Sequence, residues 1–402
     1  MWLNQFPGLL EMTIDFENDE LVIVTSDRGE VRQRGIRALA EPGTTIDLKR
    51  ITYRVAENIL VMVTEWGDEL ETELFLFDDQ QERRTGRPVV YLDQNKWVQV
   101  AQAIHAPERV HLPELGPTRQ LIELAAAKEV ILPISSGHWI ETGPLYGHRR
   151  DHVAASMVGL SRGWIMRDPV LVRMLELVSL FKCRRSSLMP VIDEPVFTLD
   201  HRAVYFEAMP SLGHSSLPPE VAMWVDVLSG ASAIFAVLLE DDAVCSHEGA
   251  EATRRWAEEH QQAANVLASN SGVRTTSREF TLRWFLKDLW LDLGVATSTA
   301  NVNVEEFGEW LESEAEADVA MLPYLGRARE VVHRRMLNAQ DTWTSNDLID
   351  LLFLPCAAGY ADHVVCERKT AADLRAVRRK DEGAAVHRTV AELLRALESH
   401  AS

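Results

Sequence analysis

The chain has 402 residues, 46% hydrophobic and 25% charged, which suffices for two or three domains around at least one full core. Its formal net charge of −20 excludes a protein that coats duplex DNA through a broad positive surface. No apolar run reaches the roughly 18 to 20 residues of a membrane span, and the N-terminus lacks a basic stretch followed by an apolar one. A cytoplasmic protein without membrane attachment is therefore expected. The four cysteines, Cys183, Cys245, Cys356 and Cys366, are scattered without metal-ligand spacing and read as free thiols.

Residues 8–80 read as strands. Short runs at 21–25, 59–63 and 72–77 are rich in β-branched and aromatic residues, with turn formers between them. They predict a small antiparallel domain of about five strands. Residues 80–88 are charged and end in Pro88, as a linker does; the arginines there are also candidate phosphate contacts.

The second unit opens with an apolar run at 89–92 that ends in Asp93 and leads into a helical pattern at 95–105. Such a run is how a buried parallel strand delivers a carboxylate to the C-terminal edge of a sheet, where open α/β folds hold their sites. The competing reading of Asp93 is a helix N-cap. Gly116-Pro117-Thr118 predicts a helix start, residues 129–134 a second buried strand, and Ser135 or Ser136 a cap for a helix carrying Glu141.

From 149 to 336 the pattern is mostly helical, with packed helices at 170–181 and 221–239 and amphipathic ones at 249–268 and 277–291. Residues 197–219, with several Pro, Gly and Ser, predict an irregular excursion. A helix capped within 343–347 runs to Ala358, and Gly359-Tyr360 breaks it. A short strand at 361–367 follows, entered from Asp362 and left through Glu367. One helix then starts near Thr370, and another at 382–397 closes the chain.

Acidic residues gather at element edges: Asp93, Glu141, Asp347, Asp350, Asp362 and Glu367. Carboxylates that converge without basic partners repel one another, and hard divalent cations such as Mg²⁺ or Mn²⁺ relieve this. Such a site suits phosphodiester hydrolysis, because bound metal generates the hydroxide nucleophile and neutralises charge on the phosphate. There is no Gly-rich phosphate loop and no nucleophile elbow around Ser135 and Ser136.

The run 89–93, Glu141, Asn346-Asp347-Leu348-Ile349-Asp350 and the stretch 360–369 together resemble a PIN-domain nuclease. The opening Tyr91-Leu92-Asp93-Gln94-Asn95-Lys96-Trp97 is similar to PIN-like proteins of bacterial, often mobile or defence-associated, settings. The resemblance implies a three-layer α/β/α sandwich with a central parallel sheet, interrupted by a helical insertion and preceded by a small β-rich domain. The units are then 1–86 (β-rich), 87–160 and 341–402 (the two parts of the PIN-like domain) and 161–340 (the insertion). It implies an endoribonuclease using Mg²⁺ or Mn²⁺. Asp93 is the first ligand, Glu141 the second and Asp347 the third, with the fourth falling on Asp362 or Glu367. By the same resemblance Asp350 orients a ligand or water.

Lys96, Arg368 and Lys369 are candidate phosphate contacts, while His138, one turn before Glu141, reads as a surface or structural histidine with a phosphate contact as the alternative. The basic pairs Arg149-Arg150 and Arg184-Arg185 and the run Arg378-Arg379-Lys380 are candidate RNA contacts or ion-pair partners. The family is compact, whereas here the resemblance covers residues 89–150 and 342–400 with a long stretch between them, and Glu367 stands where aspartate is more usual. RNA is the expected partner, alongside an inhibitory or regulatory protein and self-association. The rival readings are a DNA nuclease of the same mechanism and a regulatory or scaffold protein that does not cut.

Overall fold

The computed structural model describes residues 8–27, 29–35, 48–64, 67, 69–73, 84, 86–145, 147–184, 189–204, 247–338, 340–377 and 383–401. The expected strand residues 74–77, most of the linker, the helix at 221–239, much of the 197–219 excursion, Arg185 and the basic run 378–380 lie outside them.

Six strands form the N-terminal sheet: β1 (Leu9–Asp15), β2 (Glu20–Thr25), β3 (Gly29–Arg34), β4 (Leu48–Arg54), β5 (Ile59–Thr64) and β6 (Glu69–Glu73). Their order is β3-β2-β1-β4-β5-β6, with antiparallel neighbours throughout. Period-two alternation turns Met12, Ile51, Tyr53, Leu60 and Met62 inward. These side chains share one hydrophobic cluster with Val90, Leu92, Trp97 and Val365, so the sheet leans on the unit that follows. Glu73 pins the junction. It is buried, binds both Nη atoms of Arg87 at 3.0 Å, and accepts from the Trp164 indole at 3.3 Å.

The second unit contains β7 (Val90–Leu92), α1 (Gln94–His105), α2 (Leu112–Ala126), α3 (Ser136–Thr142), α4 (His148–Ser161), β8 (Ile165–Met166), α5 (Pro169–Cys183) and β9 (Phe197–Thr198). Helix α2 starts at Leu112, ahead of the expected Gly116, and carries Pro117 inside it. The predicted strand at 129–134 is reduced to single parallel bridges, Val89 to Ile131 and Ile134 to Ile165. Pro133 lies between the two bridges and has no N–H to donate to a ladder.

The helical portion follows: α6 (His247–Ser269), α7 (Ser271–Thr275), α8 (Ser277–Asp288), α9 (Trp290–Thr299), α10 (Val304–Ser313), α11 (Ala315–Met321) and α12 (Pro323–Leu337). The chain closes with α13 (Ser345–Tyr360), β10 (His363–Val365), α14 (Arg368–Ala376), β11 (Ala385–His387) and α15 (Val390–Ala401). Strand β11 occupies sequence expected to be helical. Gly359, expected to break α13, stays within it, where a Cβ would meet the Pro323 backbone at 2.9 Å. Helices α12 and α13 therefore pack at close range. The buried Glu176 carboxylate of α5 joins them, accepting from Tyr324 N (2.7 Å), Leu325 N (2.9 Å) and Tyr360 OH (2.6 Å). A carboxylate on the first N–H groups of α12 satisfies donors that the helix itself cannot.

The central sheet has the order β11-β10-β7, all parallel. The architecture is thus mixed α/β: an antiparallel sheet, a parallel-strand core and a large helical insertion between the strands of that core.

Candidate functional site: a carboxylate edge

Register decides which acids can meet. Strand β10 pairs with β7 through His363–Val90, Val364–Tyr91 and Val365–Leu92. Asp93 and Glu367 therefore leave the strands at one edge, and Asp362 enters at the other. At that far edge Asp362 accepts from Val89 N at 2.7 Å and pairs with Arg84 at 3.1 Å. Three-residue strands separate the two edges by about 10 Å. Of the two candidates for the fourth acidic position, Glu367 is the one beside Asp93.

Asp93 is both an edge carboxylate and a cap. It is 8% exposed, and its side chain accepts from Gln94 N at 2.8 Å. Glu141 comes from α3, whose start is fixed by the buried His138. The His138 Nδ1 accepts from Ser135 N at 3.0 Å, so the proton is on Nε2, which donates to Leu92 O at 2.8 Å. Burial holds this imidazole down at about 4, hence neutral. His138 is structural: it ties the end of β7 to α3 and so aims Glu141, one turn later.

Gly137 has no side chain because a Cβ there would meet the Phe353 ring of α13 at 2.8 Å. That close approach sets Glu141 near Asp350, since the two carboxylates lie about one turn from Gly137 and Phe353 respectively.

The result is a set of carboxyls that feel one another. Burial, followed by the charges of Asp93, Asp350 and Glu367, raises Glu141 to about 8. Burial with the charges of Asp93 and Asp347 raises Asp350 to about 7, against the pull of Arg335. Burial raises Asp93 to about 6, with Glu367 adding to it and the Gln94 N–H opposing it. Among the described residues none of these three makes an ion pair. Glu367 accepts from the Asn95 amide.

Asp347 does not join them. It completes a capping box, accepting from Thr344 N at 2.6 Å and Thr344 Oγ1 at 3.0 Å, and it pairs with the buried Arg335 at 2.8 Å. Burial alone would raise its carboxyl, but these partners hold it below the usual range. Arg335 also lies over the Trp343 ring at 4.4 Å. Lys369, an expected phosphate contact, pairs with Asp341 at 3.1 Å. Arg368 is exposed at the start of α14, and Lys96 faces Asp93 closely enough to lower its pKa.

Sequence reasoning missed the part played by Arg335. It sits on another helix, and nothing in the spacing links it to Asp347. Gln94 was missed as well. Its Nε2 donates to Thr142 at 3.0 Å, bridging α1 and α3, while its buried Oε1 finds no donor among the described residues.

This geometry overturns the metal-centred expectation. Among the described residues, no group of three or more His, Cys, Asp or Glu side chains is disposed to hold a metal ion. Asp347 is held by Arg335 and Thr344, Asp362 lies at the opposite edge, and the remaining carboxyls share a field without forming a chelate. The expected Mg²⁺ or Mn²⁺ cofactor and the metal-dependent phosphodiesterase built on Asp93, Glu141, Asp347, Asp362 and Glu367 are corrected accordingly. Among the described residues no helix is long and apolar enough to cross a membrane. The chain matches no family model, no curated protein and no solved structure.

Proposed function

We propose that the chain is a regulatory or scaffold protein on a PIN-like α/β layout, whose carboxylate edge receives a basic side chain from a protein partner. The observation that carries this reading is a surplus of acceptors. Burial and neighbouring carboxylates raise the carboxyl pKa values of Asp93, Glu141 and Asp350, and none of them makes an ion pair among the described residues. A guanidinium has donors and no acceptors, suits carboxylates bidentately, and would relieve the repulsion. Beside the edge lies a pocket of about 140 Å³ lined in part by Asp350, Glu367 and Leu351, and also by Arg335 and Lys369, whose charges are taken by Asp347 and Asp341.

The test is calorimetric titration of the full chain with an arginine-rich peptide and with its glutamine-substituted counterpart. The arginine peptide is expected to bind alone, more tightly at pH 8.5 than at pH 6, because the raised carboxyls ionise across that interval. Glu141→Gln with Asp350→Asn is expected to weaken it at least about tenfold. Equal binding of both peptides, or metal-dependent RNA cleavage that Asp93→Asn abolishes, contradicts the proposal.

A further inference from the structure

At the other end of α1, about 18 Å from Asp93 by helix rise, the surface has the opposite character. A cleft of about 370 Å³ opens between the end of α1, Arg109 and the first turns of α4. Val98, Ala101, Ala106 and Val153 supply apolar lining, and His105, Arg109, His148, Arg149 and His152 supply the basic groups. Among the described residues no carboxylate lines it, although the chain as a whole carries a net charge of −20.

Arg109 and Arg149 are exposed and make no ion pair among the described residues, unlike many arginines of this protein. Asp151 lies 3.7 Å from His148 and is itself largely exposed. His105 and His152 stack with ring centroids 4.0 Å apart and planes 11° apart, and His148 lies 6.2 Å beyond His152. Stacked imidazoles cannot both protonate cheaply unless an anion lies against them. These histidines also belong to no metal-holding group among the described residues.

From these placements we infer that the cleft is a binding site for a phosphomonoester, a small organic phosphate whose anionic end sits between Arg109 and Arg149 and whose organic part lies on the apolar lining. Two unpaired guanidiniums match phosphate oxygens in pairs, and the imidazoles add donors. The volume falls within the range of small-molecule sites.

The test is calorimetric titration of the full chain with phenyl phosphate, inorganic phosphate and a short RNA oligonucleotide, alongside the double variant Arg109→Gln, Arg149→Gln. Both arginines are exposed, so the variant is expected to keep the wild-type melting temperature. Saturable binding of phenyl phosphate, weakened at least tenfold in the variant and stronger than that of inorganic phosphate, is the expected result. Inorganic phosphate binding as tightly as the ester removes the role of the apolar lining and overturns the ester assignment. The whole inference is overturned by oligonucleotide binding without small-anion binding, by binding that ignores the variant, or by no saturable binding.

Discussion

The two edges of the same three parallel strands treat their acids in opposite ways. At the entry edge Asp362 is claimed by Val89 N and Arg84, and it behaves as a staple between strands. At the exit edge Asp93, Glu141 and Asp350 face one another with their pKa values pushed to about 6, 8 and 7. Acidic residues that look alike in sequence thus divide into those held by an arginine and those that make no ion pair among the described residues. Only the edge without ion pairs has charge left to offer a partner. Asp347 shows how near the division runs: it is three residues from Asp350, yet Arg335 and Thr344 hold it fully.

The comparison can be broken most forcefully at Asp347. Asp347→Ala removes a helix cap and leaves the buried Arg335 with the more distant Asp341, at 3.9 Å, as its ion-pair partner among the described residues. A loss of about 3 kcal/mol is expected in chemical denaturation. An unchanged midpoint would mean that Asp347 is as unsatisfied as its neighbours. Next comes Gly137→Ala, which forces a Cβ against the Phe353 ring and parts α3 from α13. About 1.5 kcal/mol is expected to be lost, and the pKa of Glu141 should fall as it moves from Asp350. Asp362→Asn keeps an acceptor for Val89 N and gives up only a partly exposed ion pair. A change under about 0.5 kcal/mol is expected in thermal melts, with no effect on the exit-edge carboxyls.

The exit edge was legible in part because an apolar run ending in an acid is a local pattern, seen at Val89 to Asp93 and again before Glu367. The choice between Asp362 and Glu367 was not legible, since it depends on the register of β10 against β7, a non-local property. Asp347 was misassigned for the same reason: its partner Arg335 comes from α12. Strand β11 was hidden by Ala384 and Ala385, which suit a helix, and the expected strand at 129–134 was interrupted by Pro133. The antiparallel sheet was easier to read because alternation within each strand declares its buried face.

Stability should carry the signature of the exit edge. In the unfolded chain Asp93 and Asp350 titrate near 3.8 and Glu141 near 4.5. Between those values and about 6, 7 and 8 the folded chain holds protons that the unfolded chain has released. Their contribution is therefore fully present below the unfolded values and is lost as pH rises through the folded ones. Glu141→Gln should flatten the fall in melting temperature towards pH 8.5.

The most direct measurement is the carboxyl ¹³C titration of Glu141 by NMR, with and without Mg²⁺. An exit edge that holds protons and awaits a basic side chain predicts a midpoint near 8 that Mg²⁺ leaves in place. A midpoint in the ordinary glutamate range, or one that Mg²⁺ drives sharply down, would contradict it.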